Sequence, residues 1–534
     1  MTTGTFPPRR RRLKPKSLQP YTFNLQPKNE NARTPPAKPR ADPLRRAAAA
    51  RRPAPPAAGG LRLARNDPPV RHRRVFVGST GSPRVDRLNE QDGLYTLSVQ
   101  GLDDGEAVQR RQVIAAVSRA ISSVTDWGDV LALAERDALE LIVSNTTEVG
   151  ITFNEDDADA EDPLDLDPPE SFPGKLTAFL YRRAETFDYD EDAGVVILPC
   201  ELVEDNGDEL RDLVFRLAER WDLPDRFAEW LRANCPFPNT LVDRIVPGTP
   251  EGEKRTAHDD ALGYEDDLLI EAETYRLWAI EGDDALRERL PFADEDFAEA
   301  DGGAEGIVVT PHIEPFRQRK VRILNGAHTT CVPAAYLCGN ETIYEAMQDE
   351  LASGFIETVM RSEIVPSLDV DSASAERFAD AVLERFRNPY LEHRLLDITL
   401  HHTTKIEARV VPTIRRYDEK HDEPPSSVAL GFACYLLLVR ESEGGERFTI
   451  KDDHADFFAG LWDGLDEDRA DSIKAVADVA CEAERFWGNA LDEIAPGFSD
   501  EVTRHLQRLV ADGPREAIEA HLSAGARVSA GGME

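Results

Sequence analysis

Between Val195 and Arg220 the chain reads as a short apolar run, Val195-Val196-Ile197-Leu198, then a loop over 199–207, then a helix for which Asp208 is a suitable N-cap and Glu209 an acidic first-turn residue. Related units precede it. Val75-Phe76-Val77 is a strand ended by Gly78-Ser79-Thr80-Gly81, Leu94–Val99 alternates like a strand, and Leu139–Val143 is a third apolar run ahead of the polar loop Ser144-Asn145-Thr146-Thr147-Glu148. Ala107–Val124 has helical spacing through Val108, Val113, Ala116, Val117 and Ile121, and Pro173 opens a helix through Arg183. Strands alternating with helices imply a parallel, doubly wound sheet. Ligands of such sheets sit at the carboxyl ends of the strands, so the loops at 144–150 and 199–207 belong at a crevice.

After residue 312 the pattern turns helical, with helices expected over 322–338, 342–362, 374–387, 391–408, 426–440 and 471–490. The expected fold is therefore an α/β, Rossmann-like N-terminal domain over 74–311 and a mainly α-helical domain over 312–534. The longest apolar run, Val428–Val439, is too short to span a bilayer and reads as a buried helix. Basic residues open the chain with no apolar segment behind them, so no secretory signal is expected. The six cysteines form no C-x-x-C pair and no zinc spacing, which predicts buried free thiols in a reducing cytoplasm and no metal.

Charge divides the chain in two. Residues 1–80 carry 19 Lys and Arg against Glu30, Asp42 and Asp67, a net of +16, whereas the chain as a whole is at −37 and the remainder therefore at −53. Residues 1–73, rich in Arg, Pro and Ala, lack hydrophobic periodicity and read as disorder. The acidic remainder repels polyanions, which argues against nucleic acid as its partner, and suits a salt-rich, halophilic cytoplasm in which self-repulsion is screened.

The acidic part is also poor in lysine, and one of its few lysines stands in Arg319-Lys320-Val321-Arg322-Ile323-Leu324-Asn325-Gly326-Ala327-His328. On a helix at about 100° per residue, Lys320, Asn325 and His328 fall within an arc of roughly 140°. One face then carries an amine, an amide and an imidazole. Oxidation of an alcohol by hydride transfer needs such a set: a base for the hydroxyl proton and donors for the developing alkoxide. A lysine serves as that base only where burial or nearby charge lowers its pKa.

Lys320-x4-Asn325-x2-His328 resembles the active-site signature of the mannitol dehydrogenase family, the polyol-specific long-chain dehydrogenases. Segments agreeing in order and spacing are Gln91-Asp92-Gly93-Leu94-Tyr95, Ser144-Asn145-Thr146-Thr147-Glu148, Pro173-x-Lys175-Leu176-Thr177, Pro199-Cys200-Glu201-Leu202 with Asn206-Gly207, Asn239-Thr240-Leu241-Val242-Asp243-Arg244 and Arg385-Phe386-Arg387-Asn388-Pro389-Tyr390. The Pro-Cys-Glu-Leu form looks like the branch that interconverts tagaturonate and altronate. The resemblance implies NAD as cofactor, Lys320 as general acid and base, Asn206 and Asn325 as donors to the reacting oxygen, and His328 as a holder of substrate hydroxyls. It also places Asn145, Thr147 and Glu148 in the cofactor crevice. An anionic sugar acid needs local cations, for which Arg387, Lys405 and Arg409 are candidates; His401-His402 reads as structural.

Two other readings stay open: fructuronate, mannitol or another polyol as substrate, and a catalytically impaired homologue that acts as a binding protein through its basic tail. The oligomeric state, monomer or dimer, is left open. One departure stands out. The family carries a glycine-rich nucleotide turn ahead of the segment matched by Val75, and nothing upstream fits: Gly59-Gly60 lies in an Arg/Ala/Pro stretch. Residues 1–73 then read either as a misframed segment or as a genuine tail on a domain without its first strand and glycine turn.

Overall fold

The structure is a computed structural model and describes residues 62–63, 74–78, 83–103, 105–147, 149–159, 168–292, 306–442, 448, 450–465 and 469–531. Its strands are β1 (Arg62–Leu63), β2 (Arg74–Gly78), β3 (Tyr95–Asp103), β4 (Glu106–Ile114), β5 (Val117–Ser122), β6 (Leu141–Ser144), β7 (Val196–Pro199), β8 (Thr240–Asp243), β9 (Ile270–Glu273), β10 (Leu277–Glu281) and β11 (Ile307–Thr310). They form four sheets: β1-β4-β3-β9, β11-β10-β8, and the parallel pairs β2-β5 and β6-β7. Helices lie between the parallel strands, notably α1 (Pro83–Glu90), α2 (Trp127–Ala134), α3 (Phe172–Thr186), α4 (Asn206–Arg220) and α5 (Asp225–Asn234). After β11 the described chain is helical, and its largest helices include α6 (Ala327–Leu337), α7 (Ser372–Phe386), α8 (Ser426–Ser442) and α9 (Phe498–Asp512). This is a Rossmann-like domain followed by a helical one. Of the basic N-terminal segment only Arg62–Leu63 is described, so the disorder expected there lies outside the described residues, as does Glu148.

Ala107–Val124 differs from expectation. It is not a helix but β4 and β5. β4 pairs antiparallel with β3 from Tyr95↔Ile114 to Asp103↔Glu106, which leaves a two-residue turn containing Gly105 at φ +77°. An Asp-Gly turn closes a hairpin strongly, and pairing with a partner strand overrides a helical spacing of valines. The expected helix over 391–408 is also broken: short turns at Leu395–Ile398 and His402–Lys405 flank His401, which is left-handed at φ +50°. By contrast, α8 is buried on every side from Ser427 to Val439, as its unbroken apolar run requires. Gly431 lets it cross α6 closely, since a Cβ there would stand 2.5 Å from Thr330 O. All six cysteines are free and buried.

β10 is a wall shared by the two domains. Leu277 and Ala279 face the helical core, and Trp278 and Ile280 face the core built on Val196 and Leu198. This is the period-2 alternation of a strand covered on both sides. The chemistry of the crevice therefore lies where the two cores meet.

α4 begins at Asn206, two residues before the expected cap at Asp208. Asp205 precedes it in the left-handed region at φ +49°, and the cap comes from a distant residue: Asn239 Oδ1 accepts the Gly207 and Asp208 N–H groups at 3.0 and 3.1 Å. Gly207 is required because a Cβ would lie 2.4 Å from Phe237 O. Asn206 itself is a clamp. Its Nδ2 donates towards Pro199 O (3.3 Å), Glu201 O (3.0 Å) and Thr240 O (3.1 Å), and its Oδ1 accepts the Thr240 N–H at 2.9 Å. It ties the end of β7 to the start of β8. Asn206→Ala leaves these buried groups without partners and is expected to cost about 1–3 kcal/mol of stability, measured by denaturant unfolding. Wild-type stability in that variant would rule out the clamp.

Candidate active site at the edge of the sheet

Lys320 and Asn325 lie in a π-helical turn, Arg319–Gly326, that runs into α6. In a π turn residues five apart stack, so the amine and the amide share a face more closely than α-helical spacing allows, and such turns are frequent at functional sites. Two further π turns, Val359–Ile364 and Ile406–Val410, pack around it. They meet at Gly326, whose missing Cβ would touch Arg409 O at 3.5 Å and Ile364 Cδ1 at 3.8 Å. Arg322 fastens the third turn by donating to Ala408 O and Arg409 O at 3.1 and 3.3 Å.

The half-buried Lys320 ammonium donates to Val242 O of β8 at 2.7 Å. Its pKa is lowered, first by burial and then by Arg385 and Arg409, with Asp243 opposing. Asp243 does not pair with it. Arg385 Nη1 and Nη2 hold Asp243 at 2.8 and 3.2 Å, and Arg385 Nε and Nη2 hold Glu273 at 3.0 and 2.8 Å. The Arg385 guanidinium lies over the Tyr275 ring at 4.3 Å. Burial works against the charge of Arg385, but the two carboxylates more than offset it and hold it protonated. Burial likewise raises Glu273, with Arg385 pulling it back.

His328, three residues beyond Asn325, is buried and stacks on Phe386 with ring centres 4.3 Å apart, edge-on to His393 at 5.2 Å. Burial, then His393, Arg385, Arg409 and Lys405, pushes its pKa well below the usual histidine range, so the ring is neutral. Its Nε2 is buried with no hydrogen-bond partner among the described residues. The Asn325 carboxamide is half-buried and also has no side-chain partner among them. A buried imidazole nitrogen and an amide without partners are groups whose hydrogen bonds a ligand can complete.

Two expected roles change. The Asn206 carboxamide is taken up by backbone, so it holds the strand ends rather than offering a free donor to a reacting oxygen. Arg387 is paired with Glu357 at 2.5 Å on a part-exposed face, and the neighbour that enters the site is Arg385. Of the two arginines of Arg385-Phe386-Arg387, α7 buries the first, and the second lies part-exposed at its C-terminal end. Lys405 and Arg409, the other expected cations, lie on the segment that packs against the Lys320 turn. Lys405 donates to Ile398 O at 2.8 Å, and burial and Arg409 lower its pKa to about 8 against the pull of Asp452. Burial lowers Arg409 to about 10, and its guanidinium has no carboxylate partner among the described residues. Both act on His328, and Arg409 also acts on Lys320, which places two cations, neither in an ion pair among the described residues, around the same crevice.

The cofactor side lies at the carboxyl edge of the parallel strands. Glu201, buried after β7, accepts from Ser144 Oγ (2.9 Å), Thr146 N (2.9 Å) and Thr146 Oγ1 (2.8 Å), so it ties together the two loops expected at the crevice. Asn145 is exposed and Thr147 half-buried at that edge. Among the described residues, five of the six large apolar side chains that stand exposed are here: Val77, Val124, Val143, Val149 and Leu202. Exposed apolar side chains beside polar loops suit the flat rings of a dinucleotide. No glycine-rich strand–helix turn is found among the described residues. On the far side, Arg317, one turn before Lys320, clasps Glu204 (3.1 Å) and Asp205 (2.8 Å) of the 200–205 loop together with Glu314 (3.3 Å), and so joins the two domains at the mouth.

Comparison with known proteins gives the same assignment for both domains. Residues 73–293 match the model of the mannitol dehydrogenase Rossmann domain, and residues 312–510 match that of the mannitol dehydrogenase C-terminal domain. The altronate oxidoreductase of Bacillus subtilis (strain 168) is 39% identical over 458 residues, covering 85% of this chain and 90% of that protein. The altronate oxidoreductase of Halalkalibacterium halodurans is 38% identical over 454 residues, covering 82% and 85%. A substrate-free D-sorbitol dehydrogenase superposes with a TM-score of 0.66 at 23% identity, covering 83% of this chain and 88% of that one. The mannitol 2-dehydrogenase of Pseudomonas fluorescens, solved with NAD and D-mannitol, gives 0.58 at 21%, covering 84% and 87%. The chain belongs to the mannitol dehydrogenase family.

Proposed function

We propose that this protein is an NAD-dependent oxidoreductase that interconverts tagaturonate and altronate. One observation carries the chemistry: a lysine ammonium donates to a neutral carbonyl, Val242 O, and forms no ion pair with a carboxylate among the described residues, and the helix that continues its turn carries a buried histidine nitrogen that lacks a partner among them. The relatives at 37–39% identity named altronate oxidoreductase support the substrate class.

A bound nicotinamide supplies the hydride to the substrate carbonyl carbon, or accepts it in the reverse direction. The chain's own residues do the rest. In reduction, Lys320 gives its proton to the carbonyl oxygen as the hydride arrives. In oxidation, the neutral amine takes the hydroxyl proton; a lowered pKa makes both states accessible. Asn325 donates to the same oxygen and stabilises its charge as it develops. His328, neutral, orients a neighbouring hydroxyl through Nε2. Arg409 and Lys405 hold the carboxylate of the sugar acid. Asn145 and Thr147 line the cofactor edge, and Asn206 and Arg385 keep the strands in register beneath the lysine.

Fructuronate and neutral polyols are the competing substrates, and the two cations, Lys405 and Arg409, favour an acid over a polyol. We place the enzyme in a salt-rich cytoplasm, because its net charge of −37 disfavours compaction at low ionic strength. Its stability is expected to rise between low salt and molar KCl; a melting temperature that does not change would exclude a halophilic adaptation.

In an NADH oxidation assay with tagaturonate, Lys320→Ala is expected to lose about 10²–10⁴-fold in rate with its melting temperature retained. Undiminished turnover would remove Lys320 from the mechanism. In the same assay Arg409→Ala is expected to raise KM for tagaturonate about tenfold or more while leaving a neutral ketose unaffected. An equal loss for both substrates would show that Arg409 does not read the carboxylate.

A further inference from the structure

The segment that delivers Lys405 and Arg409 is irregular, and a second segment holds it from behind. After the left-handed His401, a single turn, His402–Lys405, runs straight into the π turn Ile406–Val410. Such a turn is too short to hold its own orientation. Residues 451–453 hold it. Lys451 O accepts the His401 N–H at 2.9 Å, and Asp453 lies 3.5 Å from His401 Nδ1. Asp452 Oδ2 accepts from Thr403 N (2.9 Å), Thr403 Oγ1 (2.7 Å) and Tyr435 OH (2.9 Å), and Oδ1 accepts the His454 N–H at 3.3 Å. Tyr435 belongs to α8 and is buried, so Asp452 pins the turn to a helix that is buried from Ser427 to Val439.

The same carboxylate acts on Lys405 through space, two residues beyond the Thr403 that it holds. The charged and titratable groups around that ammonium are Arg409 on its own segment, Asp452 behind it, and the rings of His402, His328 and His393, with Asp397 beyond His393. The three histidines are pushed down by burial, His402 to about 3, and carry no charge near neutral pH. Asp452 is thus the anion that works against burial and against Arg409 on Lys405.

We propose that Asp452 is a positioning residue for acid specificity: it holds the 401–405 turn in place and keeps the Lys405 ammonium charged, so that the crevice prefers a carboxylate-bearing substrate to a neutral polyol. The inference rests on the sugar-acid reading of the site. It extends that reading to a residue that touches neither substrate nor cofactor.

Lys405 sits near 8, below the ordinary lysine value, so its charge is lost as pH rises through that region. Removing Asp452 lowers it further and moves the loss to lower pH. The test uses the full chain with its lysines reductively ¹³C-methylated, with Lys405→Arg assigning the Lys405 resonance. Its titration is compared in the wild type, Asp452→Asn, Asp452→Glu and Tyr435→Phe. The expected result is a fall of about one pH unit in Asp452→Asn, with Asp452→Glu and Tyr435→Phe close to the wild type.

The matching kinetic readout is the ratio of kcat/KM for tagaturonate to that for a neutral ketose, across pH. It cancels any titration of Lys320 common to both substrates. The ratio is expected to fall about tenfold in Asp452→Asn at pH 7–8 and to be restored in Asp452→Glu. An unchanged Lys405 titration, or equal losses for acid and neutral substrates, overturns the proposal. A wild-type enzyme with no preference for the acid overturns the sugar-acid reading instead, while the Lys405 titration still decides whether Asp452 sets its charge.

Discussion

The Lys320 ammonium has a dipole for a partner where an ion would have been easy to supply. Asp243 directly follows Val242, and a lysine paired with that carboxylate would hold its proton firmly. Arg385 prevents this by taking Asp243 with two nitrogens and Glu273 with two contacts. Three buried charged groups are therefore tied to one another, and Lys320 is left without an ion pair among the described residues. A buried ion cluster of this kind is weak as a source of stability, because desolvation cancels most of the attraction. Its consequence lies at Lys320, whose pKa burial lowers, with Arg385 and Arg409 acting in the same direction against the pull of Asp243.

Everything that positions Val242 O then matters to the lysine. β8 is four residues long and is held at both ends by side chains from elsewhere: Asn206 at Thr240 and Arg385 at Asp243. The same strand pairs antiparallel with β10, the wall between the two cores. From the other side the π turn presents Lys320 and Asn325 on one face. Two separate domains thus fix the donor and the acceptor of one 2.7 Å contact, and the Arg317 clasp to Glu204 and Asp205 bridges them one turn away. A displacement of about 1 Å in such an arrangement is enough to cost a large factor in rate.

Much of this was legible in the sequence. Strand and helix alternation located the crevice loops, because period and punctuation are local properties. Lys320, Asn325 and His328 could be singled out because their spacing lies within one element. What failed was set by contacts between elements. The Ala107–Val124 segment reads as a helix until its pairing with β3 is known, although Gly105 in an Asp-Gly pair carried the hairpin signal. Arg385 and Arg387 are two residues apart in one motif, and only the packing of α7 decides which is buried. Asn206 was expected to donate to an oxygen atom and does so, but the oxygens are those of Pro199, Glu201 and Thr240. No spacing rule separates a carboxamide facing a ligand from one facing backbone.

An acidic protein that holds an acidic substrate must invert its own field locally. The body after residue 80 has a net charge of −53, yet Arg409, Lys405 and Lys320, none of them in an ion pair with a carboxylate among the described residues, lie around one crevice. Surface carboxylates act through water and salt and lose their reach within about a Debye length, roughly 8–10 Å at ordinary ionic strength. Buried cations are screened far less. Added salt therefore weakens the repulsion between the substrate and the outer surface while leaving the attraction inside largely intact. On this argument a high-salt medium makes the carboxylate easier to admit without making it harder to hold, and the excess of acid on the surface does not conflict with an anionic ligand.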